Sequence, residues 1–197
     1  PRWCLDSISD ISGEDGDMRF FLGVSGEDGD MRFFLGAGDK DGDDGEAGKT
    51  PLSYFSSRDF SPADLQRSFG RTKEMLTWMP KRLGVEFPYP KYFQFALPCF
   101  GGAMENISLV SWSDDFVVTE EAERERTWLT DQINLHEMAH SYFGDLVVCR
   151  DFAHAWLKES WATYMETCWL EDKRGTEEQH YDLYRNSQAY LQEADSQ

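Results

Sequence analysis

An α+β domain, with short strands first and a mainly helical second half, is predicted by three features of the sequence. All seven prolines lie at or before Pro98, so no proline interrupts helices beyond that point. Two apolar runs of strand length, Lys91 to Leu97 and Ile107 to Trp112, flank a glycine turn at Gly101-Gly102. After them, about 121–143, 153–171 and 177–192 read as three helices.

Residues 1–50 stand apart, holding 10 of the 16 glycines, with 5 basic against 13 acidic residues. Within them SGEDGDMRFFLG occurs twice, at Ser12 to Gly23 and Ser25 to Gly36. Each copy is an acidic turn followed by a short apolar run, so the segment is expected to be irregular or a hairpin. Two copies are too few for a solenoid, which needs about three or more, and their identity points to a recent tandem duplication or a gene-model error. The run Asp39 to Glu46 fails as a calcium loop, because Asp44 stands where glycine is required and Thr50 where glutamate is. Gly48-Lys49-Thr50 fails as a phosphate loop for want of a glycine at Asp43, which leaves a solvated acidic linker.

Residues 51–197 have the composition of an ordinary globular chain and are expected to form the folded domain. Ser61-Pro62 is an N-cap followed by proline at the first helical position. Leu65, Phe69, Leu76 and Met79 then recur at helical spacing until Pro80, and Gly84 to Pro90 is a loop.

Charge and composition narrow the function. The net charge is −18 over 197 residues, and nucleic-acid binding needs a basic footprint instead. No apolar run reaches the roughly 18 residues of a membrane span, and no secretory signal opens the chain. The four cysteines, Cys4, Cys99, Cys149 and Cys168, are widely spaced, so a reducing, cytoplasmic compartment is the expectation. The first residue is Pro1 rather than methionine, and a fragment of a longer protein is expected.

The chemistry is concentrated in His136-Glu137-Met138-Ala139-His140. On a helix, residues four apart face the same way, so His136 and His140 can grip one metal, with Glu137 beside them to take a proton from water. A bare HExxH match also fits a surface helix with two solvated histidines. The apolar flanks Leu129, Ile133, Met138, Ala139 and Phe143 argue instead for a buried helix, where unliganded histidines are hard to satisfy. Glu159 follows after 18 intervening residues, in Trp156-Leu157-Lys158-Glu159-Ser160-Trp161, and supplies the third ligand of a His₂Glu site. Such a site holds one zinc ion and keeps a fourth position open, as catalytic sites do.

Upstream lies Gly101-Gly102-Ala103-Met104-Glu105-Asn106. GAMEN followed by HExxH and the spaced glutamate resembles the M1 family of zinc aminopeptidases, over about Phe69 to Glu178. The resemblance implies a thermolysin-like gluzincin catalytic domain. It further implies that Glu105 binds the free α-amino group of a peptide, whose backbone lies along Gly102, Ala103 and Met104. An anionic anchor beside the metal measures one residue to the scissile bond. The implied partners are peptides with a free N-terminus, and Glu137 is the implied general base.

This chain departs from the family's more familiar WLNEG with WLKES, so Lys158 and Ser160 flank the third ligand. The resemblance also implies a transition-state tyrosine well beyond that ligand, and flanking domains, which 197 residues do not accommodate. Tyr181, Tyr184 and Tyr190 read instead as the apolar face of a helix. The expectation is therefore the catalytic core of a larger enzyme. The alternative is a catalytically silent zinc-binding fragment or a peptide-binding module, while an amine anchor disfavours endopeptidase action.

Among other polar residues, Glu166 lies seven after Glu159 and either orients a ligand or is solvated or capping. Asp145 is a further polar residue near the site in sequence, and His154 reads as structural. Trp156, Trp161 and Trp169 read as core packing.

Overall fold

The computed structural model describes residues 50–56 and 60–195. The tandem repeat and the acidic linker of the first fifty residues lie outside them.

Strand β1 (Leu52–Ser56) is followed by helices α1 (Pro62–Phe69) and α2 (Thr72–Leu83), then strands β2 (Tyr92–Leu97), β3 (Ala103–Met104) and β4 (Leu109–Ser113). Helices α3 (Glu123–His140), α4 (Trp156–Arg174) and α5 (Thr176–Asp195) complete the chain. The α+β expectation holds.

The first helical run divides where the sequence reading left it continuous. Helix α1 begins in a capping box: Asp64 N donates to Ser61 Oγ at 3.1 Å, and Ser61 N donates back to Asp64 Oδ2 at 3.0 Å. It ends at Phe69, with Gly70 N closing on Gln66 O at 2.8 Å. Helix α2 continues through Pro80 to Leu83. A proline removes its own donor but leaves its carbonyl free, and Gly84 N donates to Pro80 O at 2.8 Å. The stop is Gly84, whose φ of 69° is the left-handed conformation that favours glycine.

The sheet order is β1-β2-β4-β3. Strand β1, absent from the sequence reading, pairs in parallel with β2, and β2 pairs in parallel with β4. The two strands around the glycine turn are thus parallel neighbours. Residues 98–102 carry the chain across the end of β4 to the far edge, where β3 runs antiparallel to it, Ala103 opposite Trp112. Positive φ angles at Cys99 (58°), Gly102 (80°) and Ser108 (64°) make the reversals. The result places Ala103 and Met104 at the edge of the sheet formed by the described residues, flanked by Gly102 and Glu105.

One face of the sheet carries the core. Tyr92, Gln94 and Ala96 alternate inward from β2 and meet Leu65, Phe69, Met75, Leu135 and Met138 from the helices. A buried polar network sets the seat of α3. Gln94 Nε2 and Asn134 Nδ2 both donate to Thr72 Oγ1 at 2.7 Å, and Trp112 Nε1 donates to Gln94 Oε1 at 3.0 Å. Four elements are joined by groups that water does not reach, so misplacing α3 would strand several donors. Helix α4 packs on α3 and buries Ala162, Met165 and Cys168 in the core, where Arg82 of α2 also reaches Cys168 Sγ at 3.4 Å. Helix α5 rests on α4, and Asp182 is its only buried residue among those described.

The aromatics divide differently from the sequence reading. Trp169 is core and meets Trp78 edge-on, whereas Trp156 and Trp161 are about half exposed or more. Tyr181, Tyr184 and Tyr190 are exposed as well, on a helix that packs chiefly against α4. No helix among the described residues is long and apolar enough to cross a membrane.

Candidate metal centre

Helix α3 delivers His136 and His140 one turn apart, and α4, packed alongside, delivers Glu159 from its first turn. Their free atoms form a small triangle. His136 Nε2 and His140 Nε2 are 3.1 Å apart, and they lie 3.2 and 3.3 Å from Glu159 Oε2. Bonds of about 2.0–2.2 Å to a tetrahedral zinc would place neighbouring ligand atoms roughly 3.3 Å apart.

The outer nitrogens establish which atoms face inward. The Phe143 carbonyl can only accept, so His140 Nδ1 carries its proton and donates at 3.0 Å. His136 Nδ1 donates to Glu166 Oε1 at 2.5 Å, and Gln132 Nε2 donates to the other Glu166 oxygen at 2.6 Å. With both rings neutral, two nitrogen lone pairs and a carboxylate oxygen converge with no donor among them. A cation satisfies all three, and the nitrogen–carboxylate set suits zinc. Glu166 thereby takes the orienting role, the first of the two readings left open by the sequence.

The electrostatics follow from burial and charge. Burial depresses His136, but the Glu166 hydrogen bond and charge outweigh it and hold the ring above the usual histidine range. His140, which lacks a carboxylate on Nδ1, is held below that range chiefly by burial. Glu137 is buried, and its carboxyl is pushed up to about 7, first by desolvation, with Glu105 and Glu159 adding to it against the pull of His136. Its Oε2 is buried with no hydrogen-bond partner. Asp145 is raised to about 6 by burial and by the Glu105 charge.

Glu105 closes the near side. Its carboxylate takes a hydrogen bond from Lys158 Nζ, which also lies 2.7 Å from Glu159 Oε1. One ammonium group therefore spans the distance between Glu105 and the histidine–glutamate triangle. Ala103 and Met104 form β3 and Gly102 precedes it, with Gly102 O accepting from Ser113 N at 2.7 Å and Met104 half exposed. The candidates named from sequence are thus brought to one place. His154 is apart from it, on a short 3₁₀ turn (Phe152–His154), with its carbonyl accepting from Cys149.

Sequence reading missed Gln132, although its place one turn before His136 was a usable signal. It also missed the Lys158 bridge, because 53 residues separate Lys158 from Glu105.

Comparison with known proteins agrees with this geometry. The peptidase family M1 domain matches residues 67–197. Aminopeptidase N of Streptomyces lividans is 35% identical over 104 residues, which is 52% of this chain and 12% of that protein. Aminopeptidase N of Lactobacillus helveticus is 30% identical over 118 residues, covering 58% of this chain and 14% of the relative. The puromycin-sensitive aminopeptidase of Caenorhabditis elegans is 34% identical over 107 residues, covering 51% and 11%. The chain spans between a tenth and a seventh of the length of these relatives. With the family's domain matched over more than half of its residues, the chain belongs to peptidase family M1.

Proposed function

We propose that this chain is the catalytic core of a zinc-dependent aminopeptidase that removes the N-terminal residue of peptides, built on a thermolysin-like arrangement of zinc helices beneath a sheet edge. The observation that carries the reading is the convergence of three acceptor atoms, from His136, His140 and Glu159, one ammonium's width from the carboxylate of Glu105.

A zinc ion held by those three residues would polarise the scissile carbonyl and make water a better nucleophile. The remaining roles belong to this chain's own groups. The edge strand β3 offers backbone partners to an extended peptide along Gly102, Ala103 and Met104. Glu105 receives the α-ammonium and so fixes which peptide bond lies at the centre. Glu137, with Oε2 free of other partners, takes a proton from the attacking water and returns it to the leaving amine. Glu166 and the Phe143 carbonyl hold the two imidazoles in the tautomer that presents Nε2.

The test is Glu137→Gln. Turnover of amino-acid anilides should fall on the order of 100–10,000-fold, while zinc content stays at one per chain. Unchanged turnover would refute the assignment. Zinc-dependent peptide binding without product, in the parent chain, would identify a peptide-binding module instead. Cleavage of N-acetylated substrates at the same rate as free ones would indicate an endopeptidase.

A further inference from the structure

The seat that the proposed function assigns to a substrate's amine is already filled by the chain itself. Lys158 Nζ contacts Glu105 Oε1 and lies 2.7 Å from Glu159 Oε1. The two side chains are largely shielded, 24% exposed for Lys158 and 18% for Glu105, unlike a solvated surface pair. The lysine stem reaches this point across Gly144, where a Cβ would lie 3.2 Å from Lys158 Cδ and 3.4 Å from His140 Nδ1. At φ 140°, Gly144 both makes the turn after α3 and leaves the lysine its path.

A protonated peptide N-terminus and a lysine head are the same chemical group, a cation with N–H donors. Two such cations on one shielded carboxylate repel, and either satisfies it. When no ligand is present, Lys158 offsets the charge of the neighbouring carboxylates: it contacts Glu105 and Glu159 directly and opposes the repulsion that they impose on buried Glu137.

We propose that Lys158 is a tethered competitor for the amine seat on Glu105, so that a peptide N-terminus binds only by displacing it and Lys158 sets the threshold for N-terminal recognition. The idea rests on Glu105 being the amine anchor. Asparagine, which the family's more familiar run places before the third ligand, is neutral and cannot compete in this way.

The test uses the full chain and isoamylamine, a simple primary ammonium with no bond to cleave, with isoamyl alcohol as the neutral control. Binding is followed by NMR shift titration in zinc-loaded and zinc-stripped protein, so the readout does not depend on turnover. Lys158→Met and Lys158→Asn should each bind the amine on the order of 10-fold more tightly than the parent, the size of one charge-assisted hydrogen bond. In a Glu105→Gln background the gain should vanish, and the alcohol should show none. Zinc affinity is measured in parallel, because a lysine that merely braced Glu159 would change metal binding and leave the amine affinity unmoved.

The outcomes separate the two readings. Unchanged or weaker amine binding in both Lys158 variants, with Glu105-dependent binding in the parent, overturns the competitor and leaves the anchor. Amine binding that ignores Glu105→Gln overturns the anchor and the competitor together. Failure of the parent and both lysine variants to bind the amine does the same.

Discussion

Helices α3 and α5 are similar in length and both rich in acid, yet one is a precision support and the other is half bare. Helix α3 buries Thr130, Asn134, Leu135, Met138 and Ala139 against the sheet and α4, and its histidines are braced from outside the triangle by Glu166 and a carbonyl. Helix α5 buries Asp182, which accepts from Thr167 Oγ1 at 3.2 Å, and exposes Tyr181, Leu183, Tyr184, Tyr190 and Leu191. A chemical site needs side chains held to fractions of an ångström, and packing from several sides provides that. Helix α5 packs chiefly on α4 and carries none of the candidate groups.

This contrast can be broken most directly at the seat of α3. Thr72→Val removes the acceptor shared by Gln94 and Asn134, and should cost about 1–3 kcal/mol for each stranded donor. Chemical denaturation would measure it, and a loss below 0.5 kcal/mol would mean that the network does not set α3. Next in size is Glu166→Ala, which frees the outer nitrogen of His136 and should weaken zinc about 10–100-fold with little change in fold. Competition with a metal indicator would report it, and wild-type affinity would return Glu166 to a solvated role.

Burial opposes the ionised form of Asp64, but hydrogen bonds from Ser61 and Arg67 outweigh it and hold the carboxyl below its ordinary value. Its contribution is therefore present above the ordinary carboxylate range and is lost as pH falls below it. Asp64→Asn should cost about 0.5–1 kcal/mol at neutral pH, the scale of a helix cap, and nothing in strong acid. A pH series of melting temperatures for both proteins would show the two curves converging. Least of all, Tyr184→Gln on α5 should stay within about 0.5 kcal/mol of the parent, since that ring is exposed. A larger loss would show that α5 is anchored by more than Asp182.

Local patterns made much of this legible. The capping box at Ser61, the inward alternation of β2 and the shared face of His136 and His140 all depend on spacings of two to four residues. Backbone geometry settles such spacings wherever the element forms. Strand β1 escaped notice because its buried positions, Tyr54 and Ser56, are not a simple apolar alternation. The break between α1 and α2 escaped because the hydrophobic spacing runs through Gly70 almost in phase. Residue type predicts Trp156 and Trp161 in the core, but the side of α4 that turns inward carries Ala162, Met165 and Cys168.

The helix carrying HExxH, the likeness to M1 peptidases and the strongly acidic balance are legible in the sequence alone. Those properties depend on short-range periodicity, residue chemistry and total charge. Tertiary structure alone decided that β1, β2 and β4 run parallel with β3 at the edge, that Glu166 steadies His136, and that Lys158 sits on Glu105. Each of these depends on a pairing between separate elements. Its existence follows from how packed elements bring distant side chains together, which no local spacing encodes.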